Sequence, residues 1–273
     1  MHPSSLINFH THTSRCHHAE GGAEDYCAAA EQAGLRILGF SDHNPVPADN
    51  HPWRMPFGDL EDYRNEVRAA AAAHPGLTVK LGLEAEPFPD FPIKDIRSVY
   101  HGFDYLIGSL HEAGLGGNMK ERFSQGREEG IRLVNSYSQI QTELIESGLF
   151  VCIAHPDMFG TFSDVWLPEY DAPVRDLIRC AIRHDIFLEV NAYGLRKPVK
   201  QTSAGPRHLY PQFRFWEIAA EEGFRKAVIG MDAHRPEDVA SNRKQAEAFL
   251  AQFGLTTANA EMAERILSGK TAV

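Results

Sequence analysis

The sequence predicts an α/β fold: a barrel of seven parallel strands, closed or nearly so, with crossover helices around it. Three observations carry that prediction. Short apolar runs of strand length alternate with stretches of helical spacing along the chain, the pattern of βα units and not of hairpins. Each of the seven apolar runs ends in polar residues of ligand type, most of them His, Asp or Glu. An open, doubly wound sheet gathers its ligands at one switch point, whereas a barrel brings the C-terminal ends of all its strands to one rim. Finally, 273 residues, 43% hydrophobic and 23% charged, can bury the core of one large α/β domain or two small ones. With no internal repeat, low-complexity tract or linker-like change of composition, residues 1–273 read as a single domain.

Leu6, Ile7 and Phe9 supply the opening strand, which runs into His10-Thr11-His12. Ala23 to Gly34 is alanine-rich with helical spacing and stops at a glycine. Leu35 to Phe40 is the second strand, followed by Ser41-Asp42-His43. The proline-rich segment from Pro45 to Gly58, carrying His51, Trp53 and Arg54, reads as a rim or lid loop. A helix over Leu60–His74 leads to a third strand, Leu77–Leu83, with Glu84-Ala85-Glu86 at its end. Phe103–Leu110 is the fourth strand and closes on His111-Glu112. A glycine-rich loop then enters a long helix over about Glu128–Ser147, with Ile131, Val134, Tyr137, Ile140 and Leu144 on one face. Leu149–Ala154 is the fifth strand, before His155-Pro156-Asp157. A helix over Val174–His184 precedes the sixth strand, Ile186–Val190, closed by Asn191. A helix over Pro211–Gly223 precedes the seventh, Ala227–Met231, which ends in Asp232-Ala233-His234. Helices over about Pro236–Gly254 and a shorter tail complete the chain.

Composition removes several classes of function. A net charge of -10 argues against a nucleic-acid surface built on bulk positive charge. The start of the chain lacks a basic segment followed by an apolar one, and no apolar run approaches membrane-span length, so the cytoplasm is the expected location. Cys16, Cys27, Cys152 and Cys180 are widely spaced, which suggests neither a disulfide framework nor a thiolate zinc site. Three of them read as small buried apolar residues; Cys16 stands apart because it lies among histidines.

A His-x-His pair is weak evidence for metal on its own, although neutral imidazole is the commonest ligand for zinc-like ions. Its weight comes from the other strand ends. In a barrel, His10, His12, His43, Glu84, His111, His155, Asp232 and His234 converge on one rim. To read each as a solvated loop residue requires the same accident strand after strand.

The ordered set His10-x-His12, Ser41-Asp42-His43, Gly82-Leu83-Glu84, Ser109-Leu110-His111, Ala154-His155-Pro156 and Gly230-Met231-Asp232-Ala233-His234 resembles the motifs of the PHP (polymerase and histidinol phosphatase) family over almost the entire chain. Cys16-His17-His18-Ala19-Glu20-Gly21 and Asn191–Pro198 look most like its histidinol-phosphate phosphatase branch. The resemblance implies a distorted (β/α)7 TIM-like barrel carrying two or three divalent metal ions. His10, His12, Glu84 and Asp232 would hold one ion, Glu84, His111 and His155 a second, and His18, His43 and His234 a third. His17 competes with His18, and the spacing from His12 and the Ala-Glu-Gly that follows favour His18.

Histidines and carboxylates without thiolates suit zinc, manganese or iron equally, so the metal's identity stays open. A carboxylate such as Glu84 can bridge two cations at the spacing of about 3.5–4 Å that activates a shared water. The resemblance implies a small phosphate monoester as substrate, with L-histidinol phosphate first and another small phosphate, such as a nucleotide or sugar phosphate, second. A non-catalytic, metal-binding regulatory barrel is the third reading. Arg196 is the leading candidate for a phosphate clamp, because a guanidinium pairs with phosphate in two-pronged fashion; Lys197, Arg207 and His51 are weaker ones. Asp42, or failing that His234, is the candidate acid for the leaving group. Two loops depart from the branch: Met158–Trp166 lacks the usual lysine, and the segment after His111 is glycine-rich. Both departures bear on the leaving group and leave phosphate chemistry untouched.

Overall fold

In a computed structural model of the chain, residues 6–47, 52–111 and 118–271 are described. The elements follow in order: β1 (Ile7–Asn8), α1 (Ala23–Gln32), β2 (Ile37–Phe40), α2 (Leu60–Ala73), β3 (Thr78–Ala85), α3 (Ile93–Val99), β4 (Tyr105–Gly108), α4 (Met119–Ser124), α5 (Arg127–Glu146), β5 (Cys152–Ile153), α6 (Asp171–Arg183), β6 (Phe187–Asn191), α7 (Ala192–Arg196), β7 (Lys200–Thr202), β8 (Gly205–Arg207), α8 (Phe213–Glu221), β9 (Ala227–Gly230), α9 (Arg243–Ala251) and α10 (Asn259–Leu267).

Seven strands form one parallel sheet in the order β1-β2-β3-β4-β5-β6-β9. The sheet is brought round by a parallel bridge between Thr11 and Ala233, just beyond the ends of β1 and β9. There the His12 amide donates to Ala233 O (2.9 Å) and the Ala233 amide to His10 O (3.2 Å). Lower on the same seam, the Met231 amide donates to the Asn8 side-chain oxygen at 3.1 Å, and Arg243 reaches Ile7 O. The expected seven-stranded barrel is therefore the observed one, nearly closed, with its seam bridged by loop residues and side chains.

The alternation of side chains along each strand divides the core. Ile7, Phe9, Tyr105, Ile107, Phe187 and Val228 pack inside the barrel, where Met262, Ala263 and Ile266 of α10 close its N-terminal end. Leu38, Leu106, Leu188, Val190 and Ile229 face outward into the layer of helices. The helices bury the stripes that their periodicity indicates: Leu133, Val134, Tyr137, Leu144 and Ile145 on α5, and Val174, Leu177, Ile178 and Ala181 on α6. Tyr105 ties the inside together. Its hydroxyl donates to Phe9 O and lies equally close to Phe40 O (2.8 and 2.9 Å), while Gly39 and Gly82 leave the space that its ring fills.

The expected segmentation differs at its short elements. The helix expected over Pro236–Gly254 is a 3-10 turn at Pro236–Asp238 followed by α9. α3, α4, α7 and the β7–β8 hairpin are additional to the expected elements; each is shorter than the two helical turns or strand length that make a periodicity visible. Among the described residues no helix is long and apolar enough to cross a membrane. All four cysteines are buried and unpaired.

Candidate metal centre

Histidines and carboxylates from six strand ends meet at the C-terminal rim. His10 and His12 follow β1, His43 follows β2, Glu84 is in β3, His111 and His155 follow β4 and β5, and Asp232 and His234 follow β9. His18, from the loop after β1, joins them. All but His111 and His18 are at least nine-tenths buried. His155 and Asp232 turn their side chains inward at φ of 30° and 46°, a backbone region that costs a residue with a Cβ about 1–3 kcal/mol. His17, Asp185 and Asn242 share this backbone region outside the ligand set, so the strain accompanies the convergence without by itself defining the site.

The donor atoms lie at the separations that a shared cation requires. His10 Nε2 is 3.1 Å from His12 Nε2, 3.5 Å from Glu84 Oε2 and 3.6 Å from Asp232 Oδ1. His12 Nε2 is 3.4 Å from the same glutamate oxygen and 3.2 Å from the same aspartate oxygen. Four donors about 2.0–2.1 Å from one ion stand roughly 3.3–3.4 Å apart in tetrahedral geometry, so this quartet fits a metal. The other glutamate oxygen, Oε1, is 2.8 Å from His155 Nε2 and 3.8 Å from His111 Nε2. Glu84 thus turns one oxygen to each group. His18 Nε2 and His234 Nε2 face each other at 3.0 Å. The His43 ring lies 4.4 Å from that of His12 and 5.4 Å from that of His18.

Chemistry points the same way as distance. Glu84 Oε2, His12 Nδ1, His43 Nδ1 and His155 Nδ1 are buried without a hydrogen-bond partner among the described residues; His43 Nδ1 is 2.8 Å from Glu84 Oε2, yet the pair lacks hydrogen-bond geometry. Burying an unsatisfied polar atom is costly, and of these Glu84 Oε2 and His43 Nδ1 point into the cluster, where an ion would satisfy them.

Burial favours neutral imidazoles in the cluster, but the facing carboxylates override it at His10, through Glu189, and at His111, through Glu86, and raise both, so that a metal there displaces a proton. Four other histidines suit ligands as they stand. Burial depresses His12 and His18, drives His43 well below its ordinary value and, with His12 alongside, brings His234 down to about 4. Neutral imidazoles have the lone pairs that metals need. Burial opposes charge on Glu84 and Asp232, but the facing histidines outweigh it and hold both carboxyls well below the usual range.

Supporting groups fix the rings. Glu189 Oε1 is 2.7 Å from His10 Nδ1, and Glu189 Oε2 accepts from the His155 amide (3.1 Å) and from Asn191 Nδ2 (2.9 Å). Asn191 Nδ2 also lies 3.1 Å from Asp232 Oδ2. Glu86 Oε1 is 3.0 Å from His111 Nδ1, its Oε2 accepts from the His111 amide at 2.7 Å, and Arg54 pairs with it from behind. Carboxylates that take the second nitrogen of a ligand histidine set its tautomer and orientation. Glu189 has no counterpart in the expected site. Its signal was parity: Phe187 points inward, so Glu189 does too, and an inward carboxylate in an otherwise apolar strand needs a partner.

Other expected residues are placed differently. Arg196 does not line the cavity; its guanidinium donates to Met231 O (2.9 Å), Asp232 O (3.1 Å) and Ser241 Oγ (3.1 Å), and lies 3.5 Å from Asp238. Arg207 is likewise absorbed by the carbonyls of Gly160, Ser163, His208 and Leu209. Neither is free to clamp a phosphate. Asp42 is fully buried away from the cavity wall, and its oxygens accept the Thr13 amide and hydroxyl, both at 2.9 Å. Burial raises its pKa to about 7; it is not among the residues that line the cavity, and its bonds to Thr13 hold the turn after His12. His234, the alternative acid, is unprotonated near neutrality and directs Nδ1 at Asp232 O. Both members of the competing pair are exposed, but His18 Nε2 faces His234 Nε2 whereas His17 directs Nδ1 at Pro52 O. His51 lies outside the described residues.

The cluster floors a cavity of about 570 Å³. Its upper wall comprises Trp53, Arg54, Asn118, Met158, Thr161, Phe162, Tyr193, Lys197 and Tyr210, so the loop in place of the usual lysine-bearing one supplies Met158, Thr161 and Phe162.

The PHP domain family pattern matches residues 8–193. A "Probable histidinol-phosphatase" of Deinococcus radiodurans is 35% identical over 86% of this chain and 89% of its own length. A "Probable phosphatase" of Photobacterium profundum is 25% identical over 86% of this chain and 80% of its own. Among solved structures, the histidinol phosphate phosphatase of Lactococcus lactis, complexed with zinc, L-histidinol and phosphate, superposes with a TM-score of 0.66 at 14% identity, over 93% of this chain and 97% of that one.

Proposed function

The chain belongs to the PHP domain family, and from that premise we propose that it is a metal-dependent phosphomonoesterase of the cytoplasm that converts L-histidinol phosphate and water to L-histidinol and phosphate. The observation that carries the phosphatase reading is Glu84, with Oε2 in the His10–His12–Asp232 quartet and Oε1 facing His111 and His155. The choice of histidinol phosphate rests on the relative of 35% identity that spans 89% of its own length.

His10, His12, Glu84 and Asp232 would hold one divalent ion, Glu84, His111 and His155 a second, and His18, His43 and His234 a third, with zinc, manganese and iron all suited to the donors. Bound there, such ions supply the charge that offsets a phosphate dianion and that makes water nucleophilic near neutral pH. The chain's own residues do the rest. Glu189 and Glu86 fix His10 and His111, Asn191 steadies Asp232, and the Asp42–Thr13 bonds hold the turn after His12. Aromatic side chains at Trp53, Phe162, Tyr193 and Tyr210 wall the cavity that would take the ester.

The test is turnover of a panel of phosphate monoesters by protein loaded separately with zinc, manganese or iron(II). Strong preference for histidinol phosphate is the expected result. Preference for a nucleotide or sugar phosphate would keep the phosphatase and replace its substrate; a fully metallated protein that hydrolyses none would leave a regulatory barrel.

A further inference from the structure

Lys197 follows the last turn of α7 and lines the cavity above the cluster. Its amide donates to Tyr193 O at 3.2 Å, whereas its ammonium makes no hydrogen bond and no ion pair among the described residues and rests on aromatic rings. Its Nζ is 4.4 Å from the centre of the Tyr193 ring and 5.7 Å from that of Tyr210. Each ring leads to the cluster: Tyr193 stacks on His234 at 5.0 Å and 22°, and Tyr210 lies 6.1 Å from His155. The ammonium is held one ring away from histidines on two sides of the site.

Tyrosine faces attract a cation without using its N–H groups, so the donors of Lys197 stay available to an anion. Arg54, the other basic side chain on the wall, is committed to Glu86 and to Asn44. Arg196, one residue earlier, is spent on backbone carbonyls.

We propose that Lys197 is the phosphate anchor of this cavity, donating from its seat between Tyr193 and Tyr210 to phosphoryl oxygens of the substrate, in the role the sequence suggested for Arg196. This rests on the phosphomonoesterase reading above. A point charge on a flexible stem suits an oxygen that is released again as product, where a two-pronged guanidinium would hold it in one orientation.

The experiment compares wild type, Lys197→Gln and Lys197→Arg as metal-loaded full chains, with inorganic phosphate as the calorimetric probe and the preferred phosphate ester for KM. Lys197→Gln should weaken phosphate binding roughly tenfold or more, the effect of losing a charge-assisted donor, and raise KM in parallel, with metal content and melting temperature unchanged. Lys197→Arg should recover part of the affinity. Wild-type phosphate affinity in a folded, fully metallated Lys197→Gln would overturn the proposal. Should that variant lose metal or fold poorly, acylation of wild-type Lys197 by an amine-reactive reagent decides: inorganic phosphate should protect it, and absence of protection rejects the anchor. A wild type that hydrolyses no ester yet binds phosphate through Lys197 would sink the enzymatic reading and leave the anchor standing.

Discussion

Glu189 supports the cluster at two points without contributing a donor to it. One oxygen orients the His10 ring and the other receives the His155 amide, so residues expected at two different ions are tied to one carboxylate. Glu189→Gln preserves shape but puts a neutral amide opposite His10. Affinity for metal is expected to fall about 10–100-fold, as for other such orienting carboxylates, and competitive metal titration would measure it. At the surface, His74 bridges Glu31 (2.8 Å) and Glu24 (2.9 Å), and these hydrogen bonds raise its pKa above the ordinary 6.5. A group raised on folding stabilises while protonated, so this contribution is complete below pH 6.5 and disappears as pH rises through the raised value. An NMR titration should find His74 above 6.5 and Glu31→Gln should lower it; an unshifted imidazole would refute the bridge. Residue types at strand ends were readable because histidines and carboxylates interrupt apolar runs. Partnership was not: Arg196 reads as a phosphate clamp until the carbonyls of Met231 and Asp232 are seen to consume it.

At the scale of elements, the barrel interior is set by pairing large side chains with missing ones. A Cβ on Gly82 would fall 2.5 Å from the Tyr105 ring, and one on Gly230 would overlap Glu189 Oε1. Gly82→Ala is expected to destabilise by about 1–3 kcal/mol through overpacking, read from denaturant unfolding. Gly230→Ala should instead cost metal affinity, because Glu189 must leave His10 to make room. Unequal effects of these two substitutions on stability and metal content would separate the packed interior from the supported site. The strands and long helices were legible because each repeats its pattern for long enough. α3, α4, α7 and the β7–β8 hairpin were not, since a handful of residues cannot display a period, and tertiary packing decides their conformation.

For the whole molecule, the fold class followed from counting strand ends that carry ligands, an argument that needs only chain order. How the first and last strands meet could not be read that way, because their partners are more than two hundred residues apart. Removing metal by chelation should lower the melting temperature in a concentration-dependent way, since an ion bound only by the folded state stabilises by about 2.7 kcal/mol at a hundred times its dissociation constant. A melting temperature indifferent to chelator would contradict the ligand assignment. The place of loss follows from the Thr11–Ala233 bridge, which stands between His10 and His12 on one side and Asp232 and His234 on the other. An ion shared by His10, His12 and Asp232 would act there as a removable cross-link between two distant parts of the chain, holding the folded seam closed by its binding free energy. Hydrogen exchange at the amides of His12 and Ala233 should therefore report metal occupancy before that of the other strands, so that the seam of the barrel serves as its own gauge of whether the protein is loaded.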